Sequence, residues 1–128
     1  MESVRHVSVI VVVLSILSWP ACAGRPPEML FVGKTWLSTD SSAPRGTIRI
    51  FLPDGTLLMD SCGETYRLAR WTSIDASRIA WDEDGARIEA DVSQAGADVL
   101  ELRLQLKSEE KIERYRLAQV PYVCPDSR

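Results

Sequence analysis

Histidine is nearly absent from this sequence, which contains one such residue in 128. That residue is His6, which lies in an N-terminal stretch that is predicted to be removed as a signal peptide. The remaining chain then has no imidazole, which excludes Ser-His-Asp and Cys-His catalysis and the usual zinc sites built on histidine. We therefore expect a protein that is not an enzyme and that holds no metal and no cofactor, and an enzyme that uses only carboxylates, tyrosine or arginine is the least favoured alternative.

Residues 1–23 have the composition of a signal peptide. The apolar run from Val7 to Trp19 has the length of a signal-peptide core and is too short to cross a bilayer as a helix. Ala21-Cys22-Ala23 fits cleavage by ordinary signal peptidase, but the same residues resemble the lipobox of bacterial lipoproteins, which would place a lipid on Cys22. Trp19 stands where that motif has an aliphatic residue. Both alternatives predict export, to the periplasm, to the outer membrane as a lipoprotein, or to the medium.

Cysteine is also scarce, with three residues in the chain. Cleavage or lipidation at Cys22 leaves Cys62 and Cys124, and an even pair in an oxidising compartment is expected to form a disulfide. The alternative is two separate buried thiols. A disulfide would exclude thiolate chemistry.

The net charge limits the kinds of partner that the protein can bind, and the chain length limits the number of domains. The net charge is −3, and the arginines are spread along the chain without forming a basic patch, which argues against a nucleic-acid partner. Residues 24–30, with Pro26-Pro27, are predicted to be a short stiff tether. Residues 31–128 have the size of a single small domain.

The clearest fold signal is a hairpin between Gly46 and Cys62. Asp54-Gly55 is typical of a two-residue hairpin loop, which would place Leu52 opposite Leu57. That register predicts one apolar face that points inward. The other face would carry Arg49, Phe51 and Leu58.

Alternating apolar and polar residues predict further strands, and no helical period is sustained. The expected strands outside the hairpin are Phe31 to Leu37, Thr65 to Ile74, Arg78 to Asp82, Arg87 to Ser93, Val99 to Leu106 and Glu113 to Val120. Short turns between them predict an all-β antiparallel meander of eight strands that closes into a small barrel. A β-sandwich is the alternative, but its Greek-key connections would need longer crossovers.

The layout resembles the lipocalin-like, or calycin-type, barrels and the small META-type domains of exported bacterial proteins. Gly33 and Trp36 on the first strand, the eight-strand meander and the disulfide to the C-terminal tail carry this resemblance. Lipocalins have Gly-x-Trp where this chain has Gly33-Lys34-Thr35-Trp36. The resemblance implies that an arginine of a late strand, Arg114 or Arg116, packs on Trp36.

Several aromatic residues are candidates for lining a ligand cavity, because binding pockets are mostly apolar with few polar anchors. The candidates are Trp36, Tyr66, Trp71, Trp81 and Tyr115, and Arg70 would meet a carboxylate head group. In a barrel this small, the favoured alternative is that the aromatic rings fill the interior. Asp82-Glu83-Asp84 would offer oxygens to a cation, but its position at a turn favours a solvated loop.

The sequence thus predicts a non-enzymatic exported envelope domain that binds a small apolar molecule or has a structural role. The alternative is a protein-interaction module, such as an inhibitor or accessory lipoprotein, that meets an envelope protein through its loops or outer face. Phe51 and Leu58 would be the exposed apolar pair on that face, unless the C-terminal tail covers them.

Overall fold

The structure is a computed structural model that describes residues 29–125. The predicted signal peptide, Cys22, residues 24–28 of the predicted tether and residues 126–128 lie outside the described part of the chain. Between residues 29 and 125 the regular structure is entirely β, and no helix there is long and apolar enough to span a membrane.

Eight antiparallel strands form a barrel in which the order around the sheet is the order along the chain. The strands are β1 Thr35–Ser38, β2 Ile48–Phe51, β3 Thr56–Ser61, β4 Glu64–Ser73, β5 Arg78–Glu83, β6 Ala86–Ala95, β7 Val99–Gln105 and β8 Glu110–Leu117. β8 pairs with β1 and so closes the sheet. This confirms the predicted antiparallel meander that closes into a barrel.

The predicted two-residue loop between β2 and β3 is wrong. Phe51 pairs with Leu57, and the backbone N–H of Leu52 donates to the Thr56 carbonyl at 2.8 Å. The turn therefore has three central residues, Pro53-Asp54-Gly55, and Gly55 ends it with a φ of +84° that glycine adopts without strain. Three-residue hairpin loops commonly end with a left-handed residue of this kind.

The corrected register turns β2 over relative to β3, because a one-residue shift moves the side chains of β2 to the opposite face, whereas Leu57 of β3 lies on the inner face as predicted. Arg49 and Phe51 point inward, and Ile50 and Leu58 point outward. Phe51 is completely buried in the core, so the predicted exposed pair of Phe51 and Leu58 does not exist.

The chain before β1 covers one end of the barrel. The predicted strand from Phe31 begins only at Thr35, since residues 30–33 form a turn in which Gly33 N–H donates to the Phe51 carbonyl at 2.8 Å. Phe31 is 3% exposed and packs edge-on against Phe51, with 5.2 Å between the ring centroids. We call this the closed end, and Met29, from the predicted tether, also packs against the core there.

Apolar side chains fill the barrel from the closed end to its middle. Every strand contributes aliphatic or aromatic groups to this core, and β8 contributes Tyr115 and Leu117. Among the largest fully buried side chains are Trp36, Trp81, Phe51, Leu57, Ile79, Leu100 and Leu102. Full burial of such a side chain stabilises the fold by about 1.5–3 kcal/mol. The closed half is therefore a packed core.

The C-terminal tail returns to the opposite end, which we call the open end, where β1 finishes and β2 begins. Cys62 and Cys124 form a disulfide, as predicted. Tyr122 donates its hydroxyl to the Gly46 carbonyl at 2.9 Å, and the Arg45 guanidinium donates to the Pro125 carbonyl. The tail is thus tied to the loop before β2 and to the end of β3.

Candidate functional site

A cavity of about 300 Å³ opens at the open end of the barrel. The loop between β1 and β2 and the adjoining ends of β2, β3, β4, β5 and β8 form its wall. Its most buried polar members are Arg49, Glu113 and Tyr115, and other lining residues include Ser38, Ser61, Thr65, Arg67, Glu83 and Lys111. The wall is therefore mainly polar, in contrast to the apolar core beneath it.

Arg49 lies in the interior because the three-residue turn sets the register of β2. Its Nε donates to the Tyr115 hydroxyl at 2.7 Å, and its Nη2 lies 3.0 Å from Glu113 Oε2. The guanidinium also stands over the Trp81 ring, 5.2 Å from the centroid. A buried charge is tolerated only when it is paired and hydrogen-bonded, and these three contacts satisfy that condition for a side chain that is 10% exposed.

Glu113 is the carboxylate at the centre of this network. Its Oε2 accepts from Arg49 and from the Tyr115 hydroxyl at 2.6 Å, and its Oε1 accepts from Lys111 Nζ at 3.0 Å. Burial raises the pKa of Glu113, but the Arg49 charge and the hydrogen bonds from Tyr115 and Lys111 outweigh it and lower the pKa. Burial raises the pKa of Tyr115, so the phenol remains a hydrogen-bond donor at neutral pH.

A second ion pair lies on the β4–β5 side of the cavity. Arg67 Nη2 is 3.0 Å from Glu83 Oε1, and Trp81 Nε1 donates to Glu83 Oε2 at 3.0 Å. Arg67 also bridges to Asp84 at the turn. The predicted acidic run thus ends β5 and forms a turn, and between residues 29 and 125 no cluster of three or more metal-ligating side chains occurs.

Three of the sequence-predicted site residues lie in the interior. Trp36, Trp81 and Tyr115 are each at most 2% exposed. Tyr115 lines the cavity, Trp81 lies under Arg49, and Trp36 belongs to the core, where its Nε1 donates to the Phe31 carbonyl. That these residues contact a ligand remains a prediction.

Of the other three predicted candidates, Trp71 packs against the core, and Tyr66 and Arg70 are not in the interior. Ala69 and Trp71 occupy the inward positions of β4, so Tyr66 and Arg70 lie on its outer face, and Tyr66 is 59% exposed. The structure therefore does not bring Tyr66 and Arg70 together with the cavity. The strand itself was predicted correctly, but its candidates came from both faces, and only Trp71 is on the inner one.

Sequence reasoning missed Arg49, Glu113 and Lys111 as members of the site. Charged residues on the strands were expected to face the solvent. In addition, Arg49 lies on β2 and Glu113 and Lys111 lie on β8, so the contacts between them join distant parts of the chain. One sequence pattern could have identified Lys111 and Glu113. They alternate with Tyr115 at the period of two, so both lie on the same strand face as this predicted candidate.

The arginine implied by the lipocalin resemblance does not pack on Trp36. Arg114 points outward and pairs with Glu101 at 3.0 Å, and Arg116 lies on the same outer face. The cation near the Trp36 ring is Lys34, whose Nζ is 5.9 Å from the centroid. No family model matches the chain, and a search of curated proteins finds no similar sequence.

Proposed function

We propose that this protein is a non-enzymatic exported domain of the lipocalin-like type that binds a small molecule in the cavity at the open end. The observation that carries the proposal is the cavity itself, about 300 Å³ of space above a packed core. Eight-stranded barrels are wide enough to hold one small ligand. The volume lies at the lower limit of ordinary ligand pockets.

The polar network supports a binding role over a purely structural one. Replacing a buried ion pair by apolar side chains of similar volume often leaves stability unchanged or raises it, so stability alone is a weak reason for such a network. Arg49, Glu113 and Tyr115 are held in fixed positions by one another. Fixed polar groups in a concave site are what small-molecule recognition requires.

The lining favours a polar ligand over the apolar one expected from the sequence. Most residues of the wall carry a hydroxyl, guanidinium, ammonium or carboxylate group, and its few apolar members include Ile48 and Met59. The non-enzymatic assignment is supported by the state of the inward carboxylates, since Glu83 and Glu113 are both ion-paired. Export is supported by the Cys62–Cys124 disulfide, which is compatible with an oxidising compartment.

A protein-interaction role is the second candidate, and one observation favours it. Ile50, Leu58 and Leu68 are neighbours on the outer face of β2, β3 and β4, and Leu68 is 59% exposed next to Tyr66. This row is only three side chains wide and lies apart from the polar cavity. Ligand binding therefore remains the preferred function.

Fragment screening of the 15N-labelled protein by NMR tests the proposed function. We expect at least one small polar fragment to shift the amide resonances of Ser38, Ser61 and Lys111. Thr65→Trp, which fills the cavity mouth, should abolish these shifts, whereas Thr72→Trp on the outer face of the same strand should not. A folded protein in which no fragment moves cavity resonances would refute the proposal.

A further inference from the structure

We infer that the tip of the β5–β6 hairpin is a movable flap beside the cavity and that Arg67 is the latch that holds it closed. The flap comprises residues 82–87, between Trp81 on β5 and Ile88 on β6, both of which pack in the core. The inference rests on the proposed function, because the flap controls the size of the same cavity, but its motion can be measured without a ligand.

The flap projects beyond the backbone pairing of both strands beside it. The ladder between β4 and β5 covers three residue pairs and ends at Trp71↔Trp81. On the other side, the β6–β7 ladder begins at Glu89↔Gln105, so residues 86–88 have no partner on β7. Since β4 stays paired with β3 along most of its length, a slot in the barrel wall separates β4 from the flap at the open end.

The flap is itself a complete hairpin. Glu83 pairs with Ala86 across the two-residue turn Asp84-Gly85. Both turn residues have positive φ, +51° and +79°, which is the backbone geometry of a tight hairpin turn. Because its internal pairing is complete and its external pairing stops at its base, the flap moves as a unit about that base.

Arg67 crosses the slot from β4 to the flap. Its Nη2 lies 3.0 Å from Glu83 Oε1, and its Nη1 lies 3.0 Å from Asp84 Oδ2. Among residues 29–125, no other ion pair or side-chain hydrogen bond joins the flap to a strand outside the hairpin. The side chains of Arg67 and Asp84 are 54% and 80% exposed, and ion pairs this exposed contribute little free energy. The latch is therefore easily broken.

The other parts of the cavity rim are held more firmly. The Cys62–Cys124 disulfide fixes the end of β3 and the turn that leads into β4. The loop after β1 is tied to β8, because Thr39 N–H donates to the Arg114 carbonyl at 2.9 Å. The flap is therefore the side on which the cavity can widen.

Outward movement of the flap would enlarge the cavity directly, because both sides of the slot belong to its wall. Arg67 and Glu83 are lining residues. The closed cavity has about 300 Å³, which is at the lower limit of ordinary ligand pockets. An open flap would admit molecules larger than that volume.

NMR relaxation dispersion of the 15N-labelled protein tests the flap. We expect microsecond-to-millisecond exchange in the amides of residues 83–86 and in the Trp81 indole N–H, which is hydrogen-bonded to the flap. Arg67→Gln removes both ion pairs and should raise the population of the open state by about two- to fivefold. Arg103→Gln removes a similarly exposed ion pair with Glu110 and should leave that population unchanged.

Two measurements complete the test. Raising NaCl to about 1 M screens exposed ion pairs, so it should increase the exchange in the wild type and change it little in Arg67→Gln. The neutral nitroxide TEMPOL should broaden the Trp81 indole resonance more in Arg67→Gln than in the wild type, because opening uncovers a side chain that is 1% exposed.

Flap resonances without exchange in the wild type, in Arg67→Gln and at high salt would overturn the inference. Exchange that neither Arg67→Gln nor salt increases would contradict the role of Arg67 as the latch. A rigid flap in a protein whose cavity binds fragments would leave the proposed function intact. A mobile flap in a protein that binds no fragment would refute the proposed function alone.

Discussion

Arg49 is the residue on which the polar interior of the open end depends. Its guanidinium joins Tyr115 and Glu113 on β8 to Trp81 on β5, and so connects three parts of the barrel wall. Removing an ion from water costs several kcal/mol, and Glu113 offsets that penalty only while it is ionised. The protonation of one carboxyl group therefore affects the stability of the whole network.

Glu113→Gln should lower the free energy of unfolding by about 2–3 kcal/mol at pH 7, because it leaves the Arg49 charge without its counter-ion. The pKa of Glu113 is lowered in the folded state, so its contribution is full above the unfolded pKa of about 4.3 and is lost as the pH falls through the lower folded pKa. The difference between the two proteins should therefore shrink below about pH 4. Urea denaturation from pH 7 to pH 3 measures it.

Glu109→Gln in the exposed β7–β8 turn is the matched control and should change stability little at any of these pH values. A Glu113→Gln protein as stable as the wild type at pH 7 would show that the ion pair contributes nothing net.

At the residue scale, the sequence could predict the buried aromatic residues better than the buried charge. Trp36, Trp81 and Tyr115 follow from alternation on strands with one apolar face. In β2, however, Ile48 and Ile50 alternate with Arg49 and Phe51, so both faces carry apolar residues. The choice between them depends on Glu113 and Tyr115, which lie 64 and 66 residues away and cannot be paired with Arg49 by a local pattern.

At the element scale, local signals located the strands but did not determine how β2 and β3 meet. Alternation and turn residues act over a few neighbours, which is why all eight strands could be expected near their observed positions. The register depends on whether Pro53 belongs to the strand or to the turn. Residues 30–33 resemble a strand in composition, yet Phe31 is needed to cover the end of the barrel.

The loop before β2 offers a test of how tightly the tail is held. Gly46 has a φ of +70°, and a Cβ atom there would overlap Cys62 Sγ and stand 2.6 Å from the Tyr122 hydroxyl. Gly96 has a similar φ of +74° but nothing within 4 Å of the same position. The two glycines thus separate backbone strain from steric overlap.

Gly46→Ala should therefore lower the free energy of unfolding by about 1–3 kcal/mol more than Gly96→Ala does, because only the first forces the tail or the disulfide to move. Urea denaturation of the oxidised proteins gives both values, with Gly96→Ala as the measure of left-handed strain alone. Equal destabilisation by Gly46→Ala and Gly96→Ala would mean that the tail moves away from the new Cβ atom without loss of stability.

At the scale of the whole molecule, the disulfide compensates for the modest size of the core. It joins residues that are 62 positions apart in the sequence and so reduces the number of conformations that the unfolded chain can adopt. A domain of this length has a limited core, and the contribution of a crosslink that encloses more than half of the domain is a large fraction of a net stability of about 5–15 kcal/mol.

Replacing both cysteines, Cys62→Ser and Cys124→Ser together, should lower the free energy of unfolding by about 2–4 kcal/mol at neutral pH. Guanidinium denaturation measures the loss, and reduced wild-type protein should show the same shift. A double variant within about 0.5 kcal/mol of the oxidised wild type would mean that the disulfide contributes nothing net to stability.

The pairing of β8 with β1 also bears on how the chain behaves during synthesis. Seven of the eight strand pairings join neighbours in the sequence, and only the last brings Trp36 beside Leu117. A chain that emerges N-terminus first can form hairpin after hairpin, but its growing sheet keeps two unpaired edges until the final strand appears. Such edges are templates for association with other chains. The period before closure is therefore when this protein is most exposed to aggregation, and a chaperone that shields β1 would act at that stage.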